Sequence, residues 1–159
     1  MTDGPIHVYR ARIQAGILDE DPAQALLAEK LQSLHRALRG FQPASGHGAW
    51  KARFGLSRRR GEPPQGLYIY GGVGVGKSML MDLFFADAPV AAKRRVHFHE
   101  FLGEVQARLH ERRKRGGDGE ADPVPPIAAE IAQGAALLCF DEFQVETIQD
   151  AMLLGSLFE

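Results

Sequence analysis

Residues Gly71-Gly72-Val73-Gly74-Val75-Gly76-Lys77-Ser78 follow the pattern G-x-x-x-x-G-K-[ST], whose chemistry is the holding of phosphate. Glycines let the backbone curl until successive N–H groups point at one anion. A helix beginning at the same place adds its positive dipole end. Lys77 supplies an ammonium that reaches β- and γ-phosphate oxygens, and the Ser78 hydroxyl supplies an oxygen to Mg²⁺. The spacing therefore predicts a nucleoside triphosphate site at Gly71, Gly72, Val73, Gly74, Val75, Gly76, Lys77 and Ser78. The bland alternative is a glycine-rich turn that matches by accident. Its flanks argue against that: Leu67-Tyr68-Ile69-Tyr70 reads as a strand and Met79-Leu80-Met81-Asp82-Leu83-Phe84-Phe85 as a helix.

A second group of chemical residues follows the apolar run Ala136-Leu137-Leu138-Cys139-Phe140. Asp141 and Glu142 stand 64 and 65 positions beyond Lys77, at the carboxyl end of a strand, where open α/β sheets bind ligands. Asp141 is placed to orient Mg²⁺ and its waters, and Glu142 to activate an attacking water as general base. Two acids capping a helix that starts near Gln144 would also suit this position.

The elements that must position these groups alternate. Strand 67–70 is followed by helix 77–86, strand 95–99, helix 100–114, a polar loop around Asp118-Gly119-Glu120-Ala121-Asp122, helix 126–133, strand 136–140 and helix 144–158. Such alternation predicts an α/β fold with parallel strands covered by helices. Ahead of it, Leu27, Leu31, Leu34 and Leu38 mark an amphipathic helix, with Asp21 as N-cap, Pro22 at the first helical position and Gln24 at the capping-box position. Residues 41–65 read as a connector. The expected organisation is an N-terminal helical segment with connector at 1–65 and a nucleotide-binding core at 66–159.

Bulk composition narrows the classes. The chain has 159 residues, 45% of them hydrophobic, a net charge of −1 and one cysteine. A single Cys139 excludes an intramolecular disulfide, and its apolar neighbours predict a small buried hydrophobe. No apolar run is long enough for a membrane span, and Met1-Thr2-Asp3-Gly4-Pro5 has the pattern of neither a signal nor a transit peptide, so a cytoplasmic protein is expected. Arg58-Arg59-Arg60, Lys93-Arg94-Arg95 and Arg112-Arg113-Lys114-Arg115 could contact phosphates, yet no aromatics interleave them, which favours solvated surface over nucleic-acid binding. His97 and His99 alternate along the expected strand and would face the same way, as a packed pair or as two zinc ligands that lack a third.

Several stretches together resemble the ZapE-type cell-division ATPases of bacteria and their mitochondrial AFG-one-like relatives, a branch of the AAA+ superfamily. They are Gly66 through Phe84, Arg95-Val96-His97-Phe98-His99-Glu100-Phe101, Leu138 through Val145 and Asp150-Ala151-Met152, with Gly16-Ile17-Leu18, Asp21 and Gln24 resembling the family's opening helix. One departure is Glu146-Thr147, where the family usually has Thr-Asp. The resemblance implies a three-layer AAA+ core, here partial, and hydrolysis of ATP with Mg²⁺. Lys77 and Glu142 would be catalytic, and Ser78 and Asp141 would hold the metal. It further implies a protein partner, the division-ring protein FtsZ, assembly into a ring, and a location at the division site. A nucleic-acid-directed ATPase such as a helicase loader is the alternative. In the superfamily the strand ending near His99 neighbours the strand ending at Asp141, so His99 could hydrogen-bond Glu142 as a switch. A later strand completes such sheets, and the chain reaches Glu159 without one, so the expectation is that these 159 residues alone hydrolyse ATP poorly.

Overall fold

The computed structural model describes residues 4–41, 64–116 and 122–158. Most of the expected connector, including Arg58-Arg59-Arg60, and most of the polar loop lie outside the described residues. The backbone forms two compact units, Met1–Ala91 and Ala92–Glu159. This division groups the helix after the phosphate-loop sequence with the N-terminal helices.

In the first unit, helices α1 (Pro5–Gln14), α2 (Pro22–Leu38) and α3 (Lys77–Asp87) pack against one another. α2 follows the sequence closely: the Asp21 side chain accepts from the Ala23 and Gln24 N–H groups at 2.8 and 2.9 Å, and Pro22 opens the helix. Leu31 and Leu38 are buried in the three-helix core with Ile6, Tyr9, Leu80, Leu83 and Phe84. Within that core His35, on α2, places Nε2 3.0 Å from the backbone oxygen of Asp87 and 3.2 Å from its carboxylate, tying α2 to the end of α3. α1 is not among the expected elements, although Ile6, Tyr9 and Ile13 fall at i, i+3 and i+7.

The expected strand at 67–70 is not formed. Leu67, Tyr68 and Tyr70 are exposed, and the two tyrosine rings stack with centroids 6.3 Å apart. The alternation of residue types suits a strand, but a strand exists only where a neighbour supplies the other half of its ladder, and no ladder is present there.

The second unit runs β1 (Lys93–His97), α4 (Phe98–Gly116), α5 (Val124–Gly134), β2 (Leu137–Asp141), α6 (Ile148–Phe158). β1 and β2 pair in parallel, with Arg95 opposite Cys139 and His97 opposite Asp141. The period of two then puts Val96, Leu138 and Phe140 on one face, where they join the core formed with Phe101, Val105, Leu109, Val124, Ile127 and Leu157. Arg95, His97, Cys139 and Asp141 lie on the other face. Pro125 and Pro126 sit in the first turn of α5, where their missing N–H groups leave no bond unmade.

Several expected boundaries move, two of them beside the acids and histidines singled out in the sequence. The strand ends at His97 and the helix begins at Phe98, so His97 and His99 do not alternate along one strand as expected. The helix wins because Phe98, Phe101, Leu102, Val105 and Leu109 form an apolar stripe of helical period, and all five are buried. α6 begins at Ile148, four residues after the expected start near Gln144. Thr147 and Asp150 fix it through a capping box: the Thr147 N–H donates to the Asp150 carboxylate at 3.3 Å, and the Asp150 N–H donates to the Thr147 hydroxyl at 3.1 Å.

Candidate functional site

The phosphate-loop residues lie together in the first unit as a turn that leads into α3. Gly71, Gly74 and Gly76 have φ of 148°, 82° and 83°, and Gly76, in the left-handed region, is the N-cap of the helix. These angles explain the glycines, because an L-residue there meets its own carbonyl. A Cβ added at Gly74 would project into open space, whereas one at Gly76 would come within 2.9 Å of Gln24 Nε2. Val73 is fully exposed at the tip. The Lys77 ammonium folds back over the loop and donates to the Gly71 carbonyl at 3.0 Å and to that of Gly72. Ser78 follows in the first turn of α3 and is exposed. The result is a glycine turn with a cation held against it at a helix N-terminus, an arrangement that suits an anion such as phosphate.

The sequence predicts Gln24 at the capping-box position of α2, its side chain reaching back to the Asp21 N–H. Instead it extends against Gly76, and its Oε1 is buried without a hydrogen-bond partner. α2 therefore touches the loop where the loop becomes a helix. Sequence spacing had no means of revealing a contact 52 residues apart.

Asp141 and Glu142 lie in the second unit. Asp141 is the last residue of β2, and its carboxylate accepts from Arg95 Nε at 2.6 Å and from an Arg95 terminal nitrogen at 3.2 Å, a two-point ion pair. The guanidinium is held charged more firmly still by this hydrogen bond. Capping a helix near Gln144 is not what these acids do, since α6 starts later under Thr147. Glu142, exposed, turns the chain away from the strand with φ 52°, the one non-glycine residue with positive φ among those described. That conformation costs roughly 1–2 kcal/mol, and such strain gathers at functional positions. Phe143 then folds back onto Phe98, with centroids 4.2 Å apart, and Phe98 meets Phe140 edge-on at 5.7 Å. This aromatic set anchors the strand end whose next residues are the acids.

The expected bond between His99 and Glu142 is not made. His99, in the first turn of α4, has Glu146 as its partner at 3.8 Å, both side chains more than half exposed. Of the basic runs, Arg94 pairs with Glu104, Arg95 with Asp141, Arg112 with Glu130, and Arg115 with Glu111 at 3.6 Å. The Arg94 hydrogen bond holds the Glu104 carboxyl below its usual range, against the opposing effect of burial. Cys139 is buried on the strand face it shares with Arg95 and Asp141, and burial pushes its thiol up to about 11. It is the small buried residue that its apolar neighbours predicted.

The glycine loop delivers Lys77 and Ser78 to a helix N-terminus in the form of a P-loop nucleotide site, and the second unit holds a parallel α/β element. The profile of the AFG1-like ATPase family matches residues 4–159, and the chain belongs to that family. It is 36% identical over 161 residues to the cell division protein ZapE of Escherichia coli strain K12, covering 98% of this chain and 42% of that protein. It is 50% identical over 103 residues to lactation elevated protein 1 homolog B of Danio rerio, covering 61% of this chain and 20% of that protein. An uncharacterized protein of Schizosaccharomyces pombe is 34% identical over 180 residues, covering 98% and 39%. The chain thus spans between a fifth and about two fifths of the length of these relatives. No solved structure matches it. No helix among the described residues is long and apolar enough to cross a membrane.

Proposed function

We propose that this chain binds ATP and Mg²⁺, and that the protein hydrolyses the nucleotide to act on a protein partner at the bacterial division ring, with FtsZ as that partner. The observation that carries the reading is the loop at Gly71–Ser78, with three positive-φ glycines and Lys77 folded over its carbonyls at the start of α3. Backbone N–H groups and Lys77 would hold the β- and γ-phosphates. Ser78 and Asp141, both hard oxygen donors, would hold Mg²⁺, which when bound neutralises charge on the phosphate oxygens. Glu142 would take the proton of the attacking water. Ring assembly and a cytoplasmic location at the division site belong to the same reading, and rest on the likeness to ZapE.

The ion pairs of Arg94, Arg95, Arg112 and Arg115 weaken the nucleic-acid alternative, since these cations already have carboxylate partners. The test is ATP turnover and nucleotide-dependent co-sedimentation with FtsZ polymers, compared between the unaltered protein and Glu142→Gln. Loss of turnover with retained, ATP-dependent co-sedimentation is expected. Stimulation of turnover by DNA but not by FtsZ would reverse the order of the two readings.

A further inference from the structure

The ion pair between Arg95 and Asp141 uses the carboxylate that the proposed function assigns to Mg²⁺. Both carboxylate oxygens are engaged, at 2.6 and 3.2 Å, and the pair is largely shielded, with the Asp141 side chain 15% exposed and that of Arg95 30%. We propose that Arg95 is a positioning residue that opposes the metal: it holds Asp141 neutralised in the absence of metal and must yield the carboxylate before a divalent cation can engage it.

Three observations carry this. First, the contact is built by the fold. In-register pairing sets Arg95 opposite Cys139, so Arg95 and Asp141 share one face, two residues apart along it, and the guanidinium needs only to lean along the strand direction. Second, the fork geometry matters. Nε and a terminal nitrogen meet the two oxygens separately, a match that lysine cannot reproduce. Third, the pair is charge-assisted and two-point, so a cation arriving at Asp141 meets a carboxylate with both oxygens already bonded. A guanidinium and a divalent cation drawn to the same carboxylate would repel each other in a partly desolvated site, so metal engagement and the ion pair would compete.

The inference rests on the nucleotide reading above, and one experiment separates the two. Mn²⁺ is titrated into the full chain with ADP present, so that no turnover occurs, and bound metal is read from loss of the free Mn²⁺ signal in electron paramagnetic resonance. Arg95→Gln should bind Mn²⁺ roughly 10- to 100-fold more tightly, the effect of removing one unit charge beside the carboxylate at an intermediate effective dielectric. Arg95→Lys, which keeps the charge but loses the fork, should fall between the two. In an Asp141→Asn background the Arg95 substitutions should change nothing. Should Arg95→Gln fail to fold, Arg95→Lys carries the test with the same sign. Unchanged or weaker Mn²⁺ affinity in a folded Arg95 variant overturns the inference while leaving ADP-dependent metal binding intact. Absence of any ADP-dependent Mn²⁺ binding in the unaltered chain overturns the nucleotide reading and the inference with it.

Discussion

Glu142 holds a backbone conformation that its side chain disfavours, and this separates its catalytic value from its structural value. At φ 52° it occupies the left-handed region, where an L-residue costs roughly 1–2 kcal/mol relative to glycine. Glycine removes that strain but adds freedom to the unfolded chain worth roughly 0.5–1 kcal/mol. The Glu142 side chain is exposed and no packing is lost on truncation. Glu142→Gly should therefore be more stable than Glu142→Ala by about 0.5–1 kcal/mol. Glu142→Asn, which tolerates the same region without the entropic cost, should match or exceed glycine. Urea denaturation followed by far-ultraviolet circular dichroism reads the order directly. All three variants should lose ATP turnover alike, so the order of their stabilities reports the backbone strain apart from the side chain's chemistry. If Glu142→Ala proves as stable as Glu142→Gly and Glu142→Asn, the strain is not a property of the folded protein, and the case for this residue falls back on its chemistry alone.

Further outcomes follow from the same geometry. Gly76→Ala forces an L-residue to φ 83° with its Cβ 2.9 Å from Gln24 Nε2, and should cost roughly 1–2 kcal/mol and weaken nucleotide binding. Because the Gln24 amide can swing away, adding Gln24→Ala should restore little, and full rescue by it would assign the loss to crowding instead of backbone strain. Cys139, its thiol raised by burial from an ordinary 9.0 to about 11, should resist iodoacetamide at pH 8 in the native state and react once unfolded in urea. The folded state keeps its proton where the unfolded thiol has lost it. Stability from this group is therefore intact below pH 9 and declines as pH rises toward 11; rapid native labelling at pH 8 would contradict this.

The turn at Gly71–Gly76 and the helix that follows it were legible because their signals are local: consecutive residues carry both the backbone freedom and the apolar helical run. The strand Leu137–Asp141 was legible because a run apolar on both faces suits a parallel strand between layers. What escaped the sequence were relations between distant residues. Arg95 meets Asp141 only because strand register puts them on one face. Gln24 abandons its expected cap for Gly76 because helix packing brings α2 to the loop, and Leu67–Tyr70 has a strand's alternation without a strand's partner. The early start of α4 was recoverable in principle, since Phe98 stands three residues before Phe101 and seven before Val105 in a helical stripe.

The central claim is that the loop at Gly71–Ser78 holds a nucleotide through Lys77. Isothermal titration of the chain with ATP and Mg²⁺, beside Lys77→Ala, tests it most directly. Saturable binding with one site per chain, weakened at least about tenfold by Lys77→Ala through loss of a charge-assisted phosphate contact, is the predicted result. Equal affinity in the two proteins, or no binding by the unaltered chain, would contradict it.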